Sequence, residues 1–316
     1  MAIRHLISVG DLHPDELAYL VDRGVYMRGH RAGTSALAGK AVGVWFRKTS
    51  TRTRTSFSIG AAKLGAVTIA YGPQDLQTNT GETIEDTARV LSGFLDGLVV
   101  RTAEDQREME VLAGQDRMAV VNAMADLEHP SQALADLTTL QEHFGRLDGL
   151  DVLYMGEGNN SASALALAFA KLRGSRLTLL TPPGYAVDPR AMDRARADAA
   201  THGATVEEHH DMAHLPRGVD AVYTTRWQTT GSSKPDPNWR QVFAPFAVTP
   251  EVMAAASRPS GTVFMHDLPA VRGEEVHADV LDGPQSIAFR QAENKLYSAM
   301  AVLEWCIVGP QRREGE

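Results

Sequence analysis

The chain of 316 residues carries 31 basic and 39 acidic side chains, a formal net charge of −8, with 43% hydrophobic and 22% charged residues. That length accommodates two domains with sizeable cores, and the balance excludes wholesale disorder and a broad nucleic-acid-binding face. A single cysteine, Cys306, excludes an internal disulfide and a multi-cysteine zinc site and fits a reducing compartment. No stretch reaches the ~18 uninterrupted apolar residues of a membrane helix, and Met1–Gly10 lacks the apolar run of a secretory signal, so a soluble, cytoplasmic protein is expected.

Short β-branched runs alternate with longer helical stretches along the chain. The pattern predicts strands at Ala41–Phe46, Val67–Ala70, Gly97–Val100 and Ala119–Val121 in the first half. In the second half it predicts them at Val152–Met155, Leu177–Leu180, Thr205–Glu208, Ala221–Thr224 and Thr262–Met265. Between them, Ser131–Phe144 sets Leu134, Leu137 and Leu140 on one helical face before Gly145, and Pro189–His202 has Gly203 placed to end it.

This alternation implies an α/β protein of two doubly wound parallel-sheet domains, each sheet covered on both faces. The expected boundary lies at Phe144–Gly149, giving domains over 1–144 and 145–287. A last helix, Gln291–Val308, has no strand after it, and 288–316 is expected to pack back on the first domain. Thr229–Trp239, with a glycine, two serines and two prolines, reads as a mobile loop.

Three polar segments interrupt this pattern where chemistry is plausible. After the first strand comes Phe46-Arg47-Lys48-Thr49-Ser50-Thr51-Arg52-Thr53-Arg54-Thr55-Ser56-Phe57, hydroxyls and cations that open a helix. Helix N–H groups, the positive end of the helix dipole and the fork of Arg52 suit an anion; the plain alternative is a solvated, capped helix start. The run is not a Walker P-loop, because the two-glycine frame is missing. His129-Pro130-Ser131-Gln132 stands at a second helix mouth, with His129 and Gln132 projecting together. Arg101 follows an apolar strand, the position from which a side chain faces the crevice of a parallel sheet.

Taken together, these segments resemble the aspartate/ornithine carbamoyltransferase family over nearly the whole chain, closer to its ornithine type. The resemblance implies that Ser50, Thr51, Arg52 and Thr53 hold the phosphate of carbamoyl phosphate, with Arg54 bracing the loop. It implies that Arg101, His129 and Gln132 contact the carbamoyl group. Gln77, in Asp75-Leu76-Gln77-Thr78, matches the glutamine that ornithine-type members supply from a neighbouring subunit, so a homotrimer with shared sites is implied. Lys295, in Gln291-Ala292-Glu293-Asn294-Lys295, stands where the family has arginine, which keeps charge but loses bidentate geometry. No cofactor, metal, nucleic acid or membrane is implied as a partner.

The acceptor side is less uniform. Asn159-Asn160 resembles the ornithine-type pair, whose second member, Asn160, binds the amino-acid end of the acceptor. His266-Asp267-Leu268-Pro269 resembles the His-Cys-Leu-Pro signature with aspartate in place of cysteine, so Asp267 and Leu268 are assigned to the acceptor and Asp267 also to catalysis, beside Arg52, Arg101, His129 and Gln132. Asp220 matches an ornithine-type aspartate, whereas Thr224-Thr225-Arg226-Trp227-Gln228 is closer to an aspartate-type Thr-Arg-x-Gln segment. Thr224, Thr225, Arg226 and Gln228 therefore join Asp220 as expected acceptor contacts.

An anionic pair of Asp220 and Asp267 suits a diamine-bearing acceptor, and Arg226 suits its carboxylate. The expected reaction carries the carbamoyl group to the side-chain amine of ornithine or a related diamino acid, leaving a ureido product and phosphate. The alternatives are a modified amino acid of specialised metabolism, aspartate, and a non-catalytic homologue that binds carbamoyl phosphate or an amino acid. A nicotinamide-dependent oxidoreductase is disfavoured. Ser161 occupies the third-glycine position after Gly156-Glu157-Gly158, and no acidic residue ends the strand Leu177–Leu180.

Overall fold

The structure, a computed structural model, describes residues 3–30, 34–102, 104–228 and 233–311. The first series of elements is α1 (Pro14–Gly29), β1 (Ala41–Phe46), α2 (Arg52–Lys63), β2 (Val67–Tyr71), α3 (Ile84–Leu91), β3 (Gly97–Arg101), α4 (Arg107–Ala113), β4 (Ala119–Met124) and α5 (Pro130–Phe144). The second is β5 (Asp151–Met155), α6 (Asn160–Phe169), β6 (Arg176–Leu180), α7 (Pro189–His202), β7 (Thr205–His209), β8 (Ala221–Thr224), α8 (Trp239–Phe243), α9 (Pro250–Ala256), β9 (Val263–His266), α10 (Ala278–Leu281) and α11 (Ala288–Ile307). Each predicted strand is present, the ends differing by at most three residues. Two compact units result, one taking the chain up to Thr138 and again from Asn294, the other spanning Thr139–Glu293. The divisions fall inside α5 and α11.

Both sheets are wholly parallel. The first runs β2-β1-β3-β4 and the second β7-β6-β5-β8-β9. Buried strands of this kind are apolar throughout rather than alternating, and every residue of β3, β4, β8 and β9 is buried. The first core gathers Trp45, Leu98, Val100 and Val120 with Met109 and Leu112 of α4. The second gathers Leu153, Met155, Val222 and Phe264 with Phe246 and Met253.

Strand order decides where chemistry can sit. In the first sheet the chain winds outward in opposite directions from β1 and β3; in the second it does so from β5 and β8. At such a switch point, loops leaving the carboxyl ends of the two strands diverge and open a crevice.

The C-terminal helix completes the first unit. Arg23 of α1 donates through Nε and Nη2 to the two carboxylate oxygens of Glu304 on α11, at 2.8 and 3.0 Å. Glu304 is fully buried and Arg23 nearly so, and removing one member of a buried pair costs roughly 3–5 kcal/mol. Gly60 lets α2 approach α11 closely, since a Cβ there would lie 3.2 Å from Met300 Cγ. Cys306 is buried in α11, and burial pushes its thiol well above the ordinary range, so it is no nucleophile. Among the described residues no helix is long and apolar enough to cross a membrane.

Candidate active site

Four of the anticipated donor-side residues stand at the switch point of the first sheet. β1 ends at Phe46, and the chain reaches α2 through Ser50 and Thr51. Thr51, the residue before α2, makes no side-chain cap bond. Ser50 and Arg52 are half-buried, Thr53 is buried and Thr51 is exposed. Ser56 Oγ donates to Thr53 O at 2.9 Å, which fixes the first turn. Arg54 is exposed.

Across the switch point, Arg101 is the last residue of β3 and is buried. The pairing of β3 with β4 slips between Val100 and Arg101, so Arg101 faces Met124; a bulge of this kind re-aims a terminal side chain. Arg47 N donates to Arg101 O at 3.0 Å and binds the two loops together.

His129, Gln132 and Lys295 complete this cluster. His129 precedes α5, and its Nδ1 lies 3.2 Å from Ser131 Oγ. Burial, and then the charges of Lys295 and Arg101, hold the imidazole well below its ordinary pKa of 6.5. His129 is therefore neutral at pH 7. Gln132 Nε2 donates to buried Asp136 Oδ1 at 2.7 Å, while its Oε1 accepts from Lys295 Nζ. Asp136, absent from the sequence reading, orients the amide of Gln132; only the one-turn spacing along α5 hinted at it.

The lowered pKa of His129 has a thermodynamic consequence. The unfolded chain takes up a proton near pH 6.5 and the folded site resists it, so the neutral site's contribution to stability is present above 6.5 and is lost as pH falls below it. The melting midpoint of the protein should fall from about pH 6.5 to about pH 5, and fall less steeply in His129→Gln. Parallel curves for the two proteins would remove His129 as a cause.

The second sheet has a polar cluster at its own switch point. β5 leads through Gly156, at φ 129°, into Glu157-Gly158-Asn159 and α6. Tyr154 Oη donates to Glu157 O at 2.6 Å and Gly158 N to Tyr185 O at 2.8 Å. Any Cβ at residue 158 would fall 2.1 Å from Val187 N, so this glycine serves chain packing, not approach to a pyrophosphate. Asn159 Oδ1 caps α6 by accepting from Ser161 N and Ala162 N, and Asn160 enters the helix as its first residue, buried.

Asp267 follows β9 and joins this group. Thr225 Oγ1 lies 2.9 and 3.0 Å from its two carboxylate oxygens, and Ser161 Oγ donates to Oδ2 at 3.1 Å. The ends of β8 and β9 and the start of α6 thus meet at one carboxylate. Behind it, His266 Nδ1 accepts from Leu268 N at 2.8 Å, which leaves the hydrogen on Nε2 to face Glu275 Oε1 at 3.2 Å. Both His266 and Glu275 are fully buried. Leu268 is held at φ 53°, a conformation strained for a branched side chain. Arg226 and Gln228 are half-buried beyond Thr225.

Two anticipated acceptor contacts lie elsewhere. Asp220 precedes β8 and so sits at the amino end of the sheet, opposite Asp267. Its carboxylate accepts from Asp151 N at 2.8 Å and pairs with Arg258 at 2.5 Å. It ties the feet of β5 and β8 together, and the expected Asp220–Asp267 pair does not form. Thr224 is fully buried and its hydroxyl donates to Met155 O at 2.7 Å, which braces β8 against β5. Gln77 is exposed in a short 3-10 turn, where Thr80 Oγ1 donates to its Oε1 at 2.7 Å. Of the expected mobile loop, 229–232 lies outside the described residues.

Two family models match consecutive parts of the chain. The model described as aspartate/ornithine carbamoyltransferase, carbamoyl-P binding domain, matches residues 4–142, and that described as its Asp/Orn binding domain matches 148–306. An ornithine carbamoyltransferase of Symbiobacterium thermophilum is 41% identical over 303 residues, covering 95% of this chain and 96% of its own. One from Oceanobacillus iheyensis is 39% identical over 303 residues, covering 95% and 93%. The solved ornithine carbamoyltransferase of Pyrococcus furiosus matches with a TM-score of 0.91 at 37% identity, covering 98% of this chain and 99% of that one. The chain belongs to the aspartate/ornithine carbamoyltransferase family, on its ornithine-type side.

Proposed function

We propose that this protein transfers the carbamoyl group of carbamoyl phosphate to the side-chain amine of ornithine, giving citrulline and phosphate. The observation that carries the reading is the polarity of the two switch points. The first brings Arg101 and Lys295 to neutral His129, with Arg52 opening α2 at the same strand ends, suited to a phosphorylated donor; the second gathers the Asp267 carboxylate with hydroxyls and Asn160, suited to an ammonium-bearing amino acid.

In this reading Ser50, Thr51, Arg52 and Thr53 hold phosphate by charge-assisted and helix N–H bonds. Thr53, Arg101 and His129 face the carbonyl oxygen, where charge grows as the amine adds to carbon; a single preorganised donor there lowers the barrier by ~2.7–4 kcal/mol. Gln132, set by Asp136 and Lys295, orients the carbamoyl NH₂. Asn160, Arg226 and Gln228 hold the α-amino and carboxylate groups of the acceptor. Asp267, with Leu268 beside it, pairs with the side-chain ammonium and takes its proton. The tetrahedral intermediate then expels phosphate, with no covalent enzyme intermediate.

The assembly we propose is a homotrimer in the cytoplasm, in which Gln77 reaches a neighbour's donor site. The exposed edge strand β2 supports an assembly: Val67 is 66% and Ile69 44% exposed, and Phe94 of the same unit is 74% exposed. Exposed apolar edges of this kind suit a partner surface.

Aspartate where ornithine-type members carry cysteine favours one second reading, a shorter or modified diamino acid as acceptor. An acceptor panel of ornithine, lysine, 2,4-diaminobutyrate, putrescine and aspartate, read by ureido colour formation, separates the two. Ornithine giving the highest kcat/KM supports the proposal; a shorter diamino acid leading supports the second reading, and aspartate leading contradicts both.

A further inference from the structure

The second unit contains a lysine seated as if it were a bound ligand. Lys234 has a side chain only 3% exposed. Its Nζ lies 4.6 Å from the ring centre of Tyr185, 4.7 Å from that of Phe243 and 5.3 Å from that of Trp239. The open side of this aromatic box is closed by Glu157, which accepts a hydrogen bond from the ammonium. Rings with their negative faces toward a cation, closed by a carboxylate, form a receptor for a primary alkylammonium.

What the ammonium joins is more informative than how it is held. Glu157 belongs to the turn that carries Asn159 and Asn160, and Tyr185 O holds Gly158 N of the same turn at 2.8 Å. Trp239 and Phe243 are the ends of α8, and their rings pack on Trp227 at 6.5 and 5.4 Å, two residues beyond the Thr225 that bonds Asp267. Lys234 therefore stands where the loops after β5 and β8 and the segment leading into α8 converge. Desolvated cation–π contacts and a charge-assisted bond are strong enough to hold such loops.

We propose that Lys234 is a positioning residue for the acceptor: its boxed ammonium fixes the Gly156–Asn160 turn, and with it Asn160, in the geometry that receives the amino-acid end. The pairing also occupies Glu157, so that Asp267 is the carboxylate left to meet the acceptor's side-chain ammonium. This inference rests on the acceptor lying at this switch point, as read above.

The test uses full-length Lys234→Ala, with n-propylammonium chloride supplied to replace the deleted atoms. The KM for ornithine should rise by about tenfold or more, with kcat and the KM for carbamoyl phosphate changing less than about threefold. Propylammonium should restore at least about half of the lost kcat/KM while leaving wild type unimproved, and Lys234→Arg should lie nearer wild type than Lys234→Ala. Hydrogen exchange across 156–163 should quicken in Lys234→Ala and slow again with propylammonium. An unchanged ornithine KM, equal loss for both substrates, or failure of propylammonium to affect either readout would overturn the proposal. Wild-type protein inert toward ornithine would sink the functional reading instead, and the exchange experiment still reports on the tie between Lys234 and the turn.

Discussion

Replacing Asp267 with asparagine should lower kcat with ornithine by about 10²-fold or more, the range for removing a positioned proton acceptor, while carbamoyl phosphate binds nearly as before. Asp267, just past β9, is held by Ser161 at the start of α6 and by Thr225 just past β8, whereas every residue assigned to the donor belongs to the other unit. Asparagine preserves the volume and one accepting oxygen, so these elements stay together. It loses the charge that meets the ammonium and the site that takes the proton.

An alkylammonium has an ordinary pKa near ~10.4, so at neutral pH nearly all acceptor arrives protonated, and the nucleophile exists only after that proton leaves. The rate of the variant should therefore rise more steeply with pH than that of wild type. Equal losses in turnover and in carbamoyl-phosphate affinity would contradict the division of labour.

Arg52→Ala should cost about 10³-fold in kcat/KM for carbamoyl phosphate, of the order seen when a preorganised donor to developing charge is removed. The half-buried guanidinium stands in the first turn of a helix without a side-chain cap, and its fork matches two phosphate oxygens at once. Arg52→Lys should recover only part of the loss, because an ammonium keeps the charge and not the fork. Ornithine-side properties should be unaffected, including hydrogen exchange across 156–163. The shared-site assembly adds a sharper outcome. Mixing Arg52→Ala subunits with Gln77→Ala subunits should regenerate activity in hybrids that pair an intact donor loop with a neighbour's intact Gln77. No recovery despite demonstrated subunit exchange would mean that each chain carries a self-contained site.

Much of this was readable in the chain itself, for identifiable reasons. Parallel strands buried on both faces leave uninterrupted apolar runs such as Leu98–Val100 and Ala221–Tyr223, so both sheets were visible as periodicity. The rule that chemistry collects at carboxyl strand ends singled out Arg101 and the segment after β1, while the roles of His129, Gln132 and Lys295 came from the family resemblance. Asp220 shows what happens when motif likeness is set above that rule. A residue immediately before a parallel strand lies at the sheet's amino end, and Asp220 indeed binds Asp151 N and Arg258 there. Thr225, one residue past the same strand, is the one that meets Asp267.

Other features depend on folding that no local pattern encodes. Glu275 reaches His266 only because the intervening loop turns back, and Glu157 and Tyr185 lie far in sequence from the Lys234 they surround. Asp136 orients Gln132 from within a helix whose apolar face dominates its pattern.

The central claim is that donor and acceptor groups at the two switch points serve one carbamoyl transfer to nitrogen. Following ¹³C-carbamoyl phosphate by NMR in the presence of ornithine tests it directly. The account predicts that the label moves into the ureido carbon of citrulline, with one phosphate released per citrulline, in wild type and not in Arg52→Ala. Label that decays at the buffer rate, with ornithine untouched, would contradict it.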